Sequence, residues 1–522
     1  MSAVLTDNLP LLAGAPNGIK KLRELILQLA VLGKLVESSD QLWTEMLLGD
    51  LGAWGSGGTP PKTHREYYGG DIPWLVIGDL NDGLVTCAET SITEEGLANS
   101  SAKIVPAGTV LIAMYGSIGK LGIAGMPCAT NQAIAHCRAN EAVVRRDFLF
   151  LLLRSMREGL LDRGQGLAQQ NISQRILKSV LVKVPPIEEQ IQIETKVDEL
   201  MALCDRLEAR QADADSAHAQ LVQALLSSLT QANDAEDFSQ SWQRLSEHFH
   251  TLFTTESSID ALKQTLLQLA VMGKLVPQDP SDEPARELLK SIRLERQAAI
   301  FGRNKLEKLS SSDTEDELSF RLPSQWSLAR LGELVISGPS NGNSPKPVSV
   351  ETPYRCLTLS ATTRGTFNNQ CYKFVDIDAD TASKYFLKEG DLLIQRANSI
   401  DYVGVSAVYN GPDDQFIFPD LMMRLRVSQY LNLPFIHAYL SSITGRAYFR
   451  SHASGTQGNM PKINQGTVVN APIPIPPLAE QHRIVAKIDQ LMALCDQLKA
   501  RLNQARQVHE HLASALVEQA VA

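Results

Sequence analysis

The chain of 522 residues has little of what marks secreted, membrane-spanning or metal-binding proteins. Its seven cysteines include no Cys-x-x-Cys pair, which excludes the usual zinc-site and redox spacings and predicts free thiols in a reducing cytoplasm. The most apolar run, FLFLLL at residues 148–153, is far shorter than the ~20 residues that a membrane helix needs. The first residues lack the basic start of a signal peptide. We therefore expect a cytoplasmic protein.

Catalytic and metal-binding motifs are also missing. YGSIGKLG at 115–122 lacks the first glycine and the Ser/Thr of a phosphate-binding loop, and its YGSIG misses the GxSxG pattern by one residue. DIDAD at 376–380 lacks the glycine and closing glutamate of a calcium loop. The His-x-His pairs at 248–250 and 509–511 cannot share a helix face. These absences predict a non-catalytic chain without a metal site or a cofactor of its own.

The charge of the chain is divided unevenly. Net charge is −9, yet residues 46–186 carry 13 Lys and Arg against 12 Asp and Glu, and residues 326–477 carry 13 against 11. The remaining, mainly helical parts therefore carry −12. Because a locally basic face is enough to hold phosphates, charge alone leaves DNA binding open.

The sequence contains a tandem duplication. LMALCD occurs at 200–205 and again at 491–496, inside a longer match of 184–210 with 475–501 that begins at a PPxxEQ motif. A second block, ILQLAVLGKLV at 26–36, matches LLQLAVMGKLV at 266–276. The separation is too large for a solenoid repeat, whose period is roughly 20–50 residues. We interpret it as an internal repeat of one domain together with its helices.

Apolar residues in the longer match are spaced 4, 3, 4, 3, which is a heptad stripe. We predict that the two helices pair antiparallel in a coiled coil and give the chain an internal pseudo-two-fold repeat; the alternative is that each packs on its own domain. The predicted seam consists of Ile193, Val197, Leu200, Cys204, Leu207, Ile484, Ile488, Leu491, Cys495 and Leu498.

Two globular stretches lie between the helices, and short β-type runs followed by helical patterns predict mixed α/β (α+β) domains. The predicted organisation is a helical region at 1–45, a first globular domain at 46–186, a central helical region with a linker at 187–324, a second globular domain at 325–477, and a C-terminal coiled-coil helix at 478–522.

The chain resembles the specificity subunit of type I restriction–modification systems. The matching features are GSGGTP…YYGGDIPWLVIGDLN at 55–81, the opening GIKKLRELILQLAVLGKLV at 18–36, and the two PPxxEQ junctions before heptad helices. SGPSNGNSPK at 337–346 departs from the GGTP run of the first domain, which indicates that the two domains read different sequences.

This resemblance implies that each globular domain is a target recognition domain for one half of a split DNA site. It implies that the helices set the spacer and dock two adenine-N6 methyltransferase subunits, and that ATP-dependent restriction subunits join the complex. S-adenosylmethionine, ATP and Mg would be used by those partners, whereas this chain would hold no cofactor.

Polar loops at matching places in the two domains are the candidates for DNA contact, because amides, cations and hydroxyls read base edges and phosphates; solvated turns are the alternative for each. The first-domain candidates are Lys62, Tyr115, Ser117, Lys120, Asn131, Gln132, Gln165, Gln169, Gln170, Asn171 and Ser173. The second-domain candidates are Asn341, Asn343, Lys346, Arg396, Asn398, Ser399, Gln457, Asn459, Lys462 and Asn464.

Two other functions fit the sequence features taken without the resemblance. One is a coiled-coil adaptor whose α/β domains bind proteins and have no DNA role. The other is an enzyme with an unfamiliar active site.

Overall fold

The structure is a computed structural model that describes residues 11–36, 42–162, 172–300, 318–455 and 460–521. It divides into two compact units: unit 1 comprises Met1–Asp215 and Gln504–Ala522, and unit 2 comprises Ser216–Asn503. All seven cysteines are free thiols. Within the described ranges, no helix is both long and apolar enough to cross a membrane.

Unit 1 contains ten strands and five shorter helices in the residues described. Its strands are β1 (Thr44–Leu47), β2 (Gly52–Ser56), β3 (Tyr68–Leu75), β4 (Leu84–Val85), β5 (Ser91–Ile92), β6 (Val110–Ala113), β7 (Leu121–Ala124), β8 (Ala129–Thr130), β9 (Ile134–Ala139) and β10 (Leu181–Val184). Its shorter helices are α1 (Gly18–Val31), α2 (Glu94–Ala98), α3 (Arg146–Ser155), α4 (Arg157–Asp162) and α5 (Gln174–Lys178).

The strands of unit 1 form two sheets and a clasp. The main sheet has the order β2-β9-β6-β7-β4, and a smaller sheet has the order β5-β3-β8. The clasp is the antiparallel pair β1-β10, in which Thr44 lies opposite Val184. The clasp therefore brings the start and the end of the globular domain side by side.

Unit 2 repeats this series. Its strands are β11 (Ser327–Arg330), β12 (Val335–Asn341), β13 (Lys346–Pro347), β14 (Arg355–Leu357), β15 (Tyr372–Asp376), β16 (Leu392–Gln395), β17 (Ser406–Val408), β18 (Phe416–Ile417), β19 (Met422–Val427) and β20 (Pro472–Ile475). Its shorter helices are α7 (Ala235–Ser246), α8 (Phe249–Leu252), α9 (Glu256–Val271), α10 (Ala285–Ile300), α11 (Leu331–Leu334), α12 (Ala379–Ala382), α13 (Leu433–Ser441), α14 (Ile443–Ser451) and α15 (Gln465–Val469).

The two units share one topology. The main sheet of unit 2 has the order β12-β19-β16-β17, which matches β2-β9-β6-β7, and β14 pairs parallel with β18 as β3 does with β8. The clasp recurs as β11-β20, with Ser327 opposite Ile475. The predicted fold class, two mixed α/β domains joined by long helices within an internal repeat, is confirmed.

The duplicated GKLV block ends a helix in each unit. After α1, Gly33 has φ 70° and the Lys34 amide donates to Leu29 O at 3.0 Å; after α9, Gly273 has φ 71° and the Lys274 amide donates to Leu269 O at 3.0 Å. This is a C-terminal cap in the left-handed conformation, which glycine adopts without the steric cost that a Cβ adds. The helix stop explains why this short block is retained in both halves.

Two helices of 44 residues follow the clasps: α6 (Ile187–Thr230) and α16 (Leu478–Val521). Each unit contains the first part of one long helix and the last part of the other, because unit 1 ends at Asp215 and resumes at Gln504.

The partner of the heptad stripe corrects the sequence prediction. The first-helix residues Ile193, Val197, Leu200, Cys204 and Leu207 belong to the unit 1 core, whereas Ile484, Ile488, Leu491, Cys495 and Leu498 belong to the unit 2 core. In each unit, an ion pair beside the stripe shows which helix packs on it. Arg23 of α1 bonds Asp205 at 2.6 Å, and Lys499 of α16 bonds Glu256 of α9 at 3.0 Å. The duplicated GKLV helix therefore covers each stripe within its own unit, where the prediction had the two stripes facing each other.

The PPxxEQ motif joins each clasp to its long helix. Gln190 is fully buried; it accepts the Arg145 amide at 2.7 Å and donates to Pro185 O at 2.8 Å. Gln481 repeats both contacts, with the Asn432 amide at 3.0 Å and Pro476 O at 2.9 Å. The preceding glutamate of each motif accepts a tryptophan N–H: Glu189 from Trp43, and Glu480 from Trp326, each at 3.0 Å.

Candidate nucleic-acid interface

The strand register places most of the candidate loops of unit 1 at one edge of its main sheet. Ser56 lies opposite Ala135, Ala113 opposite Ile134, and Ile112 opposite Leu121. The loops that leave or enter the sheet at these ends are residues 57–64, 114–120 and 131–133, which we call the loop edge of unit 1. Unit 2 has an equivalent loop edge, formed by residues 342–345, 396–405 and 418–421, because Asn341, Gln395 and Ser406 end their strands at the same level.

The same backbone hydrogen bonds hold both loop edges. In unit 1 the amides of Gly58, Met114 and Ile172 donate to Thr130, Ala133 and Met114 at 2.9, 2.8 and 3.0 Å. In unit 2 the amides of Asn343, Arg396 and Ile463 donate to Phe418, Leu421 and Arg396 at 3.0, 2.7 and 2.9 Å. The two edges are therefore one backbone framework that carries different side chains.

A glycine in the first loop permits this framework. A Cβ on Gly57 would lie 2.0 Å from Thr130 O, and one on Gly342 would lie 2.2 Å from Phe418 O. Any side chain at these positions would force the loop away from its neighbour. The NGN sequence of the second domain thus keeps the glycine at this position, although it lacks the GGTP pattern.

Several predicted residues of unit 1 are available at its loop edge. Lys62, Tyr115, Ser117 and Gln132 are exposed, and Tyr115 is 42% accessible. The Gln132 carbonyl accepts the Thr59 hydroxyl, which leaves its amide N–H groups free to donate to a base edge.

Other predicted residues shape the loops. Lys120 donates to Ile77 O at 3.2 Å and Gly78 O at 3.3 Å, and the Asn131 carbonyl accepts the Ala133 amide at 3.1 Å. Ser173 is the N-cap of α5 and accepts the Ile176 amide at 3.3 Å. Gln165, Gln169, Gln170 and Asn171 lie outside the described residues.

The loop edge of unit 2 is arranged in the same way. Asn341 and Lys346 flank its first loop and are exposed, as is Ser399, while Arg396 is half-buried with Nη1 3.4 Å from Asp420 O. Asn343, also half-buried, continues the backbone framework.

Two asparagines and a lysine complete the predicted set in unit 2. Asn398 donates to Gln395 Oε1 at 2.7 Å, and Asn464 caps α15 by accepting the Thr467 amide at 2.7 Å. Lys462 is exposed and forms backbone bridges to Ser454 and Ala397. Gln457 and Asn459 lie outside the described residues.

Sequence reasoning did not single out Tyr402 and Ser344, which the topology brings to the loop edge of unit 2. Tyr402, 43% accessible, stands on the loop of unit 2 equivalent to that of Tyr115, which is three residues longer in unit 2. Ser344 donates to the Asp420 carboxylate, as Thr59 does to Gln132. The exposed aromatic residue in the second loop of each domain could have been found from the sequence. The contact of Ser344 with Asp420 could not, because the two residues are 76 positions apart.

The chemistry of the two edges differs in charge. The three loops of unit 1 contain Lys62 and Lys120 and no carboxylate, whereas those of unit 2 contain Arg396 together with Asp401 and Asp420. Cations bind phosphates and guanine edges, amides bind adenine edges, and a carboxylate accepts from cytosine N4. The two edges therefore offer different sets of polar groups to a ligand. The described residues hold no cluster of three or more His, Cys, Asp or Glu suited to a metal.

Known proteins share the sequence and the architecture of this chain. A family model described as "Type I restriction modification DNA specificity domain" matches residues 41–214 and 323–506. The EcoEI type I restriction enzyme specificity subunit of Escherichia coli is 36% identical over 70% of this chain, and the chain covers 62% of that relative. The EcoAI specificity subunit of Escherichia coli is 32% identical over 97% of this chain and 94% of the relative. A chain from a structure of complex assembly in the type I R-M system shares the fold, at TM-score 0.52 and 17% identity over 92% of this chain and 97% of that one.

Proposed function

The chain belongs to the type I restriction modification DNA specificity family, and from that premise we propose that each unit reads one half of a bipartite duplex DNA site through its loop edge. The observation that carries this proposal is the repetition of one loop framework with different polar side chains. A duplicated reader whose backbone is constant and whose contact residues vary suits an asymmetric site. A homodimer would read the same half-site twice.

Contacts divide by chemistry within each edge. Lys62 in unit 1 and Lys346 and Lys462 in unit 2 bind phosphates and fix the register of the domain on the duplex. Gln132 lies at the end of the main sheet of unit 1, and Arg396 lies at the corresponding end of the main sheet of unit 2. Each reads base edges in the major groove. Tyr115 and Tyr402 offer aromatic rings for contact with sugar or base.

The complex supplies the catalysis in this proposal. The chain acts without a cofactor of its own as the recognition subunit of a larger assembly with other type I restriction–modification subunits. We infer that those are two adenine-N6 methyltransferase subunits and ATP-dependent restriction subunits, which use S-adenosylmethionine, ATP and Mg. The long helices α6 and α16 set the spacer between half-sites and dock the methyltransferases.

The adaptor and enzyme alternatives receive less support. The matched family is defined by DNA specificity, and the relatives are specificity subunits of restriction enzymes. A protein-binding adaptor would have no reason to present amides and cations on two equivalent loop edges.

The test maps methylation by modification-aware sequencing in cells that express the chain with its methyltransferase partner. We expect a motif of two specific blocks separated by unspecified bases. Gln132→Ala should relax one block and Arg396→Ala the other, each by about 1–3 kcal/mol of discrimination. Arg286→Ala, an exposed cation on α10, is the matched control and should change neither block. Loss of both blocks in one loop variant would contradict the assignment of one unit to one half-site.

A further inference from the structure

Unit 2 contains a cavity that the DNA-reading function does not use. Its volume is about 740 Å³, within the range of small-molecule sites. It lies between the start of β17, the helix pair α13 and α14, the GKLV helix α9, and the first turns of α16. Leu267, Val408, Ile488 and Met492 provide apolar surface on its walls.

Cations dominate the charged groups of this cavity. Lys263, Arg364, Arg446 and Arg450 line it, against the single carboxylate of Asp489. Lys263 is already paired with Asp496. Across the ranges that the structure describes, the three arginines form no ion pair with any carboxylate, so positive charge is in excess in this cavity.

Arg446 is the most constrained of the three. Its Nη2 donates to Asp401 O at 2.9 Å, but its Nη1 is buried and has no hydrogen-bond partner. Burial, together with the neighbouring charge of Arg450, lowers the pKa of the Arg446 guanidinium to about 10. A buried donor without an acceptor is costly unless a ligand supplies one.

At the equivalent place in unit 1, an acidic residue offsets the charge of the arginines. A short 3-10 helix spans Ile77–Asp79 in unit 1 and Leu359–Ala361 in unit 2, and the third residue beyond it is Asp82 in one and Arg364 in the other. Asp82 pairs with Arg157, whose Nη1 donates to Oδ2 at 3.1 Å, and it also lies near Arg154. Arginines from the domain's helix pair are thus present in both units, but the position that holds the offsetting acid in unit 1, counted from the 3-10 helix, holds an arginine in unit 2.

From this arrangement we propose that the unit 2 cavity binds a small organic phosphate, with the phosphate group held by Arg364, Arg446 and Arg450. A phosphate has several acceptor oxygens, so it can satisfy Arg446 Nη1 and engage the exposed guanidinium groups at the same time. The apolar walls accommodate the organic part of the ligand. The cavity adjoins the loop edge of unit 2 at Val405 and, through Arg446, at Asp401, but none of the proposed DNA contacts lines it.

The experiment measures binding of inorganic phosphate to the full chain by isothermal titration calorimetry at constant ionic strength, with citrate as a carboxylate probe. Arg364→Asp restores the acid of unit 1 at an exposed position, so the variant should fold. We expect it to weaken phosphate binding by at least about tenfold, the effect of losing a charge-assisted hydrogen bond. Arg446→Gln should lose binding to a similar extent. Arg286→Asp is the charge-matched control and should bind as the parent does.

Three results would overturn the proposal: phosphate binding that is equally weak in the parent and in Arg364→Asp, an equal loss in the Arg286→Asp control, or tighter binding of citrate than of phosphate. Displacement of phosphate by a half-site duplex would also overturn it, because the cavity would then belong to the DNA groove.

Discussion

At the scale of single residues, the duplicated PPxxEQ motif uses hydrogen bonds to link the clasp strand, the long helix and the globular domain of each unit. Its glutamine is fully buried in both units and joins the clasp exit to the start of α3 or α13. The sequence made the motif visible, but it did not reveal these contacts, since the partners Arg145 and Asn432 lie 45 and 49 residues away. Spacing along a chain reports helix faces and strand faces; it does not report which distant backbone group a buried amide meets.

Gln190→Ala should destabilise unit 1 by about 1–3 kcal/mol, because it leaves the Arg145 amide and the carbonyls of Val143 and Pro185 without their partner. Urea denaturation followed by tryptophan fluorescence measures the loss. Gln490→Ala is the control, since that exposed side chain accepts only Lys487 Nζ at 3.4 Å. An equal loss in both variants would mean that the buried bonds contribute nothing specific.

Glu480 predicts a pH dependence of stability. Burial raises the pKa of this carboxyl to about 7 although Trp326 and Gln278 donate to it. Because the folded-state pKa is above the unfolded value, the stabilising contribution is present below about pH 4.5 and is lost as pH rises through 7. The shift corresponds to roughly 3 kcal/mol.

Thermal unfolding at pH 5 and pH 8 should therefore show a drop in the parent, and Glu480→Gln should flatten it. Trp326→Phe keeps the buried carboxyl and should retain the drop. If the parent and Glu480→Gln changed in stability by the same amount over that interval, Glu480 would not have the raised pKa.

At the scale of elements, the heptad stripe shows what periodicity can predict. It identified the buried face of both long helices correctly, because apolar spacing of 3 and 4 residues marks one helix face. It did not identify what covers that face. The cover is α1 or α9, whose own apolar residues Leu25 and Leu266 are fully buried. Two identical stripes fit a mutual seam equally well, so only the tertiary structure distinguished these arrangements.

Leu25→Ala in α1 and Leu266→Ala in α9 should each cost about 2–5 kcal/mol, the range for emptying a buried leucine site. Each loss should fall on its own unit, which limited proteolysis with mass spectrometry resolves. Leu294→Ala, at an exposed position of α10, is the control and should be near neutral. If each stripe were instead covered by its duplicate, the α1 and α9 variants would behave like the control.

At the scale of the whole molecule, identity and geometry were retained in different parts of the duplication. Helices and junctions kept their residues, so the two-domain plan could be predicted from LMALCD, GKLV and PPxxEQ. The loop edges kept their backbone hydrogen bonds and lost most of their residues. An aromatic residue still recurs in the second loop of each edge, but Ser344 could not be aligned with Thr59 from the letters alone. Constant backbone with variable side chains is what a pair of readers for different half-sites requires.

This separation makes each globular domain exchangeable, provided that the cuts respect the clasp. In unit 1, Leu47 lies opposite Leu181, and the Leu48 amide donates to Val180 O at 2.8 Å, so the two junctions of residues 48–180 are adjacent. Replacing that segment with the equivalent from a relative of different specificity leaves the clasp strands, the PPxxEQ motifs and both long helices unaltered. The new segment must supply the backbone groups that Val143 and Arg145 offer to Gln190. The prediction is that one block of the methylated motif changes, while the other block and the spacer stay as in the parent.

A second exchange of residues 75–180 serves as the contrast. Its first cut falls at the end of β3, which pairs with β5 and β8. The parental β3 would therefore have to pair with strands β5 and β8 that come from the relative. We expect that chimaera to be unstable or inactive, because register on a half-buried strand is strictly specified. Motif mapping in cells with the methyltransferase partner reads out both chimaeras. A change in both blocks after the 48–180 exchange would show that the two halves of the site are not read independently, since α6, α16 and all of unit 2 are unaltered in that chimaera.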